Sequence, residues 1–260
     1  MKKFELTAEF KMLFGVKLFR IRALVDFGYI KAGELGGWIE SENNLSQSGD
    51  AWVSGDAEVS GDAEVSGNAW VSGNAKVSGD AWVYGDAEVS GDAEVSGDAK
   101  VSGNAWVYGD AKVYGNAKVY GNAWVYGDAK VYGNAWVYGD AEVSGDAEVS
   151  GDAEVSGNAK VYGNAKVYGD AKVSGNAKVS GNAWVYGDAD YAIAQGFGSE
   201  YRATTFFRLK DGNVGVKCGC FYGTLGEFRE KVKKTHGETK KAKEYLMLVD
   251  LMEYRFAKEK

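Results

Sequence analysis

From Gly49 to Tyr186 the chain repeats one six-residue unit, Gly-[Asp/Asn]-Ala-x-Val-[Ser/Tyr], twenty-three times without an insertion. Self-similarity of this kind outweighs length as a guide, since 260 residues would otherwise suggest one or two globular domains. Ala and Val are two residues apart, so in an extended segment both point to one side and the x residue between them to the other. The Ser or Tyr that follows projects outward, and Gly-[Asp/Asn] turns the chain through dihedrals that those residues tolerate. With no proline in the chain, every corner depends on this chemistry. A single unit buries only an Ala and a Val, so stability has to come from stacking each strand on its equivalents above and below. The array predicts a rigid parallel β-solenoid.

Val53, Val59 and Val65, each with a small residue two places earlier (Ala51, Ala57, Ala63), resemble the hexapeptide-repeat left-handed β-helix family. That resemblance implies a triangular prism with three hexapeptides per coil, so the array makes nearly eight coils and spans about 37 Å at ~4.8 Å per coil. Outside the array, Phe19 to Leu24, Gly36 to Glu40, Asn44 to Gly49, Cys218 to Phe221 and Ala242 to Leu246 resemble hexapeptide-repeat proteins of phage and bacterial genomes. Members of that group are often labelled transferases, a label that follows the fold, and a fold does not carry a function.

The organisation expected is an N-terminal cap over residues 1–36, a left-handed β-helix over 37–192 and a small C-terminal ββαα module over 193–260. Residues 37–48 read as degenerate coil units, with Gly37, Ile39, Asn44 and Leu45 in the repeat's places. In the tail, Thr204 to Leu209 and Val214 to Phe221 predict a hairpin around Lys210-Asp211-Gly212-Asn213. Thr224 and Glu227 form a capping-box pattern that opens a helix to His236, stopped by Gly237. A second helix after Thr239 carries an apolar stripe of Ala242, Tyr245, Val249, Met252 and Phe256.

Charge divides the chain. Residues 49–190 hold 15 Asp, 7 Glu and 9 Lys, a net −13, whereas residues 191–260 hold 14 basic and 9 acidic groups, a net +5. An acidic rod repels phosphate backbones, which argues against nucleic acid as its ligand. No apolar run of membrane-spanning length occurs, and the start, Met1 to Leu6, has no signal-peptide core, so a cytoplasmic location is expected, the host cytoplasm for a phage-encoded protein.

Acyltransferases of the hexapeptide family typically take a general base from a coil histidine, and the carbonic anhydrases on the same helix hold a metal with three. This chain has one histidine, His236, and it lies in the tail. An exposed Asp or Glu would not titrate near neutrality in its place. Cys218 and Cys220, read as i and i+2 of one strand, could join His236 as at most three soft metal ligands; reduced, half-buried core thiols are the simpler reading. No cofactor and no catalytic residue is assigned.

Sorting the x positions by three units sets Trp52, Trp70, Trp106 and Trp124 on one edge of the rod, with Tyr108 and Tyr126 beside them. Two readings stand side by side: an interface for a second copy (a dimer or trimer) or for a host protein, and aromatic rings that simply cover their ladder neighbours. Tyr follows Val in six consecutive units from Tyr108 to Tyr138, on all three faces, which favours stacking between coils over a ligand pocket. The function expected is a non-enzymatic structural or binding scaffold; the alternatives are a divergent acyltransferase and a phage inhibitor of a host defence protein.

Overall fold

The computed structural model describes residues 2–198 and 200–257. The array folds as a parallel β-solenoid of about eight turns. Each x-Val strand within the rod pairs in parallel with the strand 18 residues on, as in Trp106↔Trp124 and Val107↔Val125. Three sheets result, which form three faces. The Trp106 face has eight strands and runs from Trp52 to Lys178; the Trp82 face has seven, from Glu64 to Lys172; the Glu58 face has eleven, because three N-terminal strands extend it.

Units within the rod satisfy their backbone in a common way. The x residue donates to an Ala carbonyl one coil on (Trp106 N to Ala123 O, 2.9 Å), the Ser or Tyr to a Val carbonyl (Tyr114 N to Val131 O, 3.0 Å), and the corner Asp or Asn to a Gly carbonyl (Asn116 N to Gly133 O, 2.8 Å). The interior is a column of Ala and Val side chains closed to solvent along its whole length. At the corners Gly adopts the left-handed region, φ +75° at Gly121, where a Cβ would sit 3.0 Å from the Gly139 nitrogen one coil on. Both the dihedral and the approach require glycine.

Two antiparallel strands, β1 (Phe4–Leu13) and β2 (Val16–Ala23), lead into β3 (Leu35–Ile39), which joins the first coil in parallel through Trp38↔Glu58 and Ile39↔Val59. Phe4, Ile21, Ala23 and Ile30 close the apolar column at this end. The Lys3 ammonium enters beside them and donates to Gly49 O at 3.3 Å and Ala51 O at 2.8 Å, carbonyls with no coil above them. Burial lowers its pKa to about 8, partly opposed by the nearby Asp50. Asn44 does the same for Gly61 O and Ala63 O, both at 2.9 Å.

At the other end the tail contains more sheet than a hairpin. Four antiparallel strands follow one another, β4 (Tyr191–Ala194), β5 (Thr204–Arg208), β6 (Val214–Cys218) and β7 (Phe221–Thr224), and two helices cover them, α1 (Leu225–His236) and α2 (Lys240–Arg255). Phe207 of β5 points into the apolar column of the rod and Phe206 into the separate core under the helices. The module therefore seals the rod as well as forming a core of its own. The expected capping box is present, Glu227 N donating to Thr224 Oγ1 at 3.3 Å and Thr224 N to Glu227 Oε2 at 2.7 Å. The predicted stripe on α2 is buried, from Ala242 to Phe256. Among the described residues no helix is long and apolar enough to cross a membrane.

Candidate functional site

The rod's pattern admits variation only at the x and Ser/Tyr positions, and one stretch concentrates aromatic residues there. Trp106 and Trp124 stack with centroids 5.4 Å apart and planes 8° from parallel, and Tyr108 and Tyr126 stack beside them at 5.0 Å and 2°. The strands carrying these pairs, Trp106–Gly109 and Trp124–Gly127, are four residues long against two in most of the rod. The two indoles remain 41% and 40% exposed. Because the stack covers the facing ring surfaces, what they offer solvent is mainly edges and outer faces.

The same stacking encircles the rod. Tyr114 lies on Tyr132 at 4.9 Å and Tyr120 on Tyr138 at 5.0 Å, so each face carries one pair of parallel-stacked tyrosines. Below each pair the lower hydroxyl donates to a glutamate: Tyr126 to Glu142 (3.5 Å), Tyr132 to Glu148 (3.3 Å) and Tyr138 to Glu154 (3.0 Å). Each glutamate in turn meets a lysine one coil on, namely Lys160, Lys166 and Lys172. This is an aromatic collar with an ionic skirt, repeated three times. Burial raises the pKa of Tyr108, Tyr114 and Tyr120 above the ordinary phenol value, and the tyrosine and glutamate beside each add to the effect.

The predicted edge divides when its residues are placed. Trp106, Trp124, Tyr108 and Tyr126 come together, whereas Trp70 is half-buried and separated from them by Glu88. Trp52 is fully buried, contrary to the expectation of an exposed anchor. The cap is the reason: the Phe27 ring meets Trp52 edge-on at 5.4 Å, and Gly36 lies close against the indole. Nothing in the array's periodicity signals that residues 27 and 36 return to cover coil one. On the Trp82 face, Lys100 lies over Trp82 at 4.7 Å and Lys118 over Trp136 at 4.5 Å, so these indoles already hold cations.

One flank of the Trp106 pair is uncharged. Asn104 donates to Asn122 at 3.0 Å and Asn122 to Asp140 at 2.9 Å, a side-chain ladder that replaces carboxylate repulsion with hydrogen bonds. The Trp106 pair is thus bordered by amides within an otherwise acidic rod.

In the tail, Cys218 and Cys220 are not neighbours on one strand. Gly219, at φ +57°, turns the chain between β6 and β7, and Cys218 pairs with Phe221 across that turn. Both cysteines line a hollow of about 220 Å³ with His236, Arg202, Lys231 and Tyr245. Thr204 Oγ1 donates to Cys218 Sγ at 3.2 Å, while Cys220 is exposed. Among the described residues no three His, Cys, Asp or Glu side chains are placed to hold a metal ion.

No curated protein matches the chain. A family model described as the YdcK beta solenoid repeat matches residues 111–127 and 171–187, the first within the collar and the second in the last complete coils. The chain is a β-solenoid repeat protein, similar over these coils to the YdcK beta solenoid repeat.

Proposed function

We propose that the protein is a non-enzymatic scaffold that presents an acidic rod, with a mid-rod aromatic patch, to a macromolecular partner. The observation that carries this reading is the exposed Trp106–Trp124 stack, bordered by Asn104 and Asn122, in a rod whose corners are Asp in thirteen units and Asn in ten. Aromatic side chains that remain accessible beside uncharged polar groups are typical of protein-binding surfaces. The repeat also offers little for acyl transfer: inward positions are Ala and Val, and the single histidine lies off the coils. A protein partner fits the charge of the rod better than a nucleic acid does. For a phage-encoded chain, that partner would be a host protein.

Two measurements test the reading. Acyl-coenzyme A at about 100 times its Kd would stabilise an acyltransferase by ~2.7 kcal/mol, so a melting temperature that rises with acyl-coenzyme A would overturn the scaffold assignment. The double variant Trp106→Lys, Trp124→Lys should fold normally and lose proteins that the wild type captures from lysate. Identical capture by both would show that the patch is not the binding surface.

A further inference from the structure

The β1–β2 hairpin extends further than closing the rod requires. β3 pairs with β2 at Phe19, Arg20 and Arg22 only, so beyond Phe19 the two strands pair solely with each other, Lys11↔Leu18, Met12↔Lys17 and Leu13↔Val16. β1 is the terminal strand of the eleven-stranded sheet, and among the described residues no strand covers its outer edge. A bulge between Leu6 and Phe10 interrupts the register, and within it the Glu9 amide is turned onto Thr7 Oγ1 at 3.2 Å. The regular open edge is therefore Phe10 to Leu13.

One side of that edge carries exposed apolar side chains, with the Lys17 ammonium over the Phe10 ring at 4.0 Å. Phe10 is 52% exposed, Met12 60%, and Phe14, in the turn, 96%. Phe14 also holds a φ of +46°, a left-handed conformation that Asn or Gly adopts readily and a bulky side chain does not. The two-residue turn Phe14-Gly15 between Leu13 and Val16 requires positive φ at both residues, so it is the choice of an exposed aromatic there, at a strain cost, that points to a contact outside the monomer.

We propose that two copies of this chain join edge to edge through β1, antiparallel, with Met12 facing Met12 of the second copy on a two-fold axis. In such a pair, opposed residues share a side of the sheet, so the axis must fall on a residue. An axis at Phe10 runs the ladder into the bulge. An axis at Lys11 opposes two lysines whose ammonium groups are held by Glu58 and Trp38 of their own copies, and leaves Phe14 facing the bulge of the second copy. An axis at Leu13 leaves Phe10 without a partner. The axis at Met12 places Phe10 opposite Phe14 of the second copy and Lys11 opposite Leu13, covers all three exposed apolar side chains and brings no like charges together.

Charge permits a second copy at this end of the molecule and opposes one along the rod. Residues 1–48 carry seven basic and six acidic groups, whereas the rod carries a net −13, so a contact between hairpins keeps two acidic rods apart. The ladder is short against the ~800 Å² per partner of a standard interface, which makes the dimer concentration-dependent in the micromolar range. This inference stands on the hairpin and not on the Trp106 patch.

Sedimentation of the full chain from low to high micromolar concentration should show the mass doubling. Met12→Lys should weaken the dimer about tenfold or more without lowering Tm, because like charges then meet across the axis. Phe14→Asn should raise Tm by relieving the turn and yet weaken the dimer, a combination that a merely structural Phe14 would not give. With Cys218 and Cys220 changed to Ser, Met12→Cys should cross-link under glutathione disulfide, and Lys11→Cys should not. A chain that stays monomeric at every concentration, a dimer indifferent to Met12→Lys, or cross-linking at residue 11 in preference to 12 would overturn the proposal. A dimer lost instead in Trp106→Lys, Trp124→Lys would overturn it too, and would leave the scaffold reading of that patch intact.

Discussion

Tyr138 donates its phenol hydroxyl to Glu154 across 3.0 Å, and the same carboxylate lies 3.3 Å from the Lys172 ammonium. Tyr120 stacks on Tyr138 from the coil above, so four side chains from successive coils form one column down the Trp82 face. The columns through Tyr132 and Tyr126 repeat the arrangement on the other two faces. Side chains thereby reinforce, coil to coil, what the backbone ladder begins.

Removing the hydroxyl while keeping the ring separates the two contributions. Tyr138→Phe should cost about 1 kcal/mol, the net value of a hydrogen bond to a charged but partly solvated acceptor. Tyr120→Phe should cost almost nothing, because among the described residues its hydroxyl has no hydrogen-bond partner. Urea denaturation of both variants checks this; equal losses would mean that the phenol's bond to Glu154 contributes nothing.

Corner glycines should differ in a graded way. Gly121→Ala meets the Gly139 nitrogen at 3.0 Å as well as a left-handed backbone, and should cost about 2–3 kcal/mol. Gly175 has nearly the same dihedral, φ +65°, with nothing within 4 Å of a built Cβ, so Gly175→Ala should cost only the dihedral strain, about 1 kcal/mol. The difference between the two midpoints measures the close approach of stacked corners, and no difference would assign the whole requirement to the dihedral.

Alkaline titration should first raise and then lower stability. Lys3 has a native pKa of about 8 against 10.5 in the free side chain, so between those values the unfolded chain holds a proton that the native state has released, and stability increases with pH. Tyr108, Tyr114, Tyr120 and Tyr168 have native values raised above 10.0, so above that pH the unfolded chain releases protons that the native state keeps, and stability falls. The pH profiles of the thermal melts of the wild type and of Lys3→Met, taken across this range, should differ in shape by the initial rise alone, with a constant offset between them. A rise that persists in Lys3→Met would assign it to another group.

Lys3→Met should also be less stable than wild type near neutral pH, by about 1–3 kcal/mol, because it leaves the Gly49 and Ala51 carbonyls without a donor at a closed end of the rod. An unchanged denaturation midpoint would show that water satisfies these carbonyls equally well.

The periodic part of this protein could be read in advance because each coil contacts only its neighbours. Ala-x-Val fixed which side chains face inward, and a period of 18 residues gave the columns found on the three faces. The tail helices were equally legible, since Thr224, Glu227, Gly237 and Thr239 are local signals that act within a few residues of themselves. Trp52 was misjudged as exposed because its environment is set by Phe27 and Gly36, which return from the cap through a contact that no local pattern encodes. The two thiols were misplaced for a similar reason: Cys218-Gly219-Cys220 reads as alternating strand until Gly219 is known to turn the chain.

The sequence by itself determined the solenoid, its column assignments and the exclusion of a coil histidine, all of which follow from a repeat whose interactions reach one coil in either direction. Only the tertiary structure decided which of the outward aromatics are covered, that the tyrosines form one collar continued by Glu142, Glu148 and Glu154, and that β1 ends in an open edge beside Phe14. The physical reason is that exposure at a repeat position depends on what packs over it, and at the rod's two ends those covering residues come from non-repeating chain.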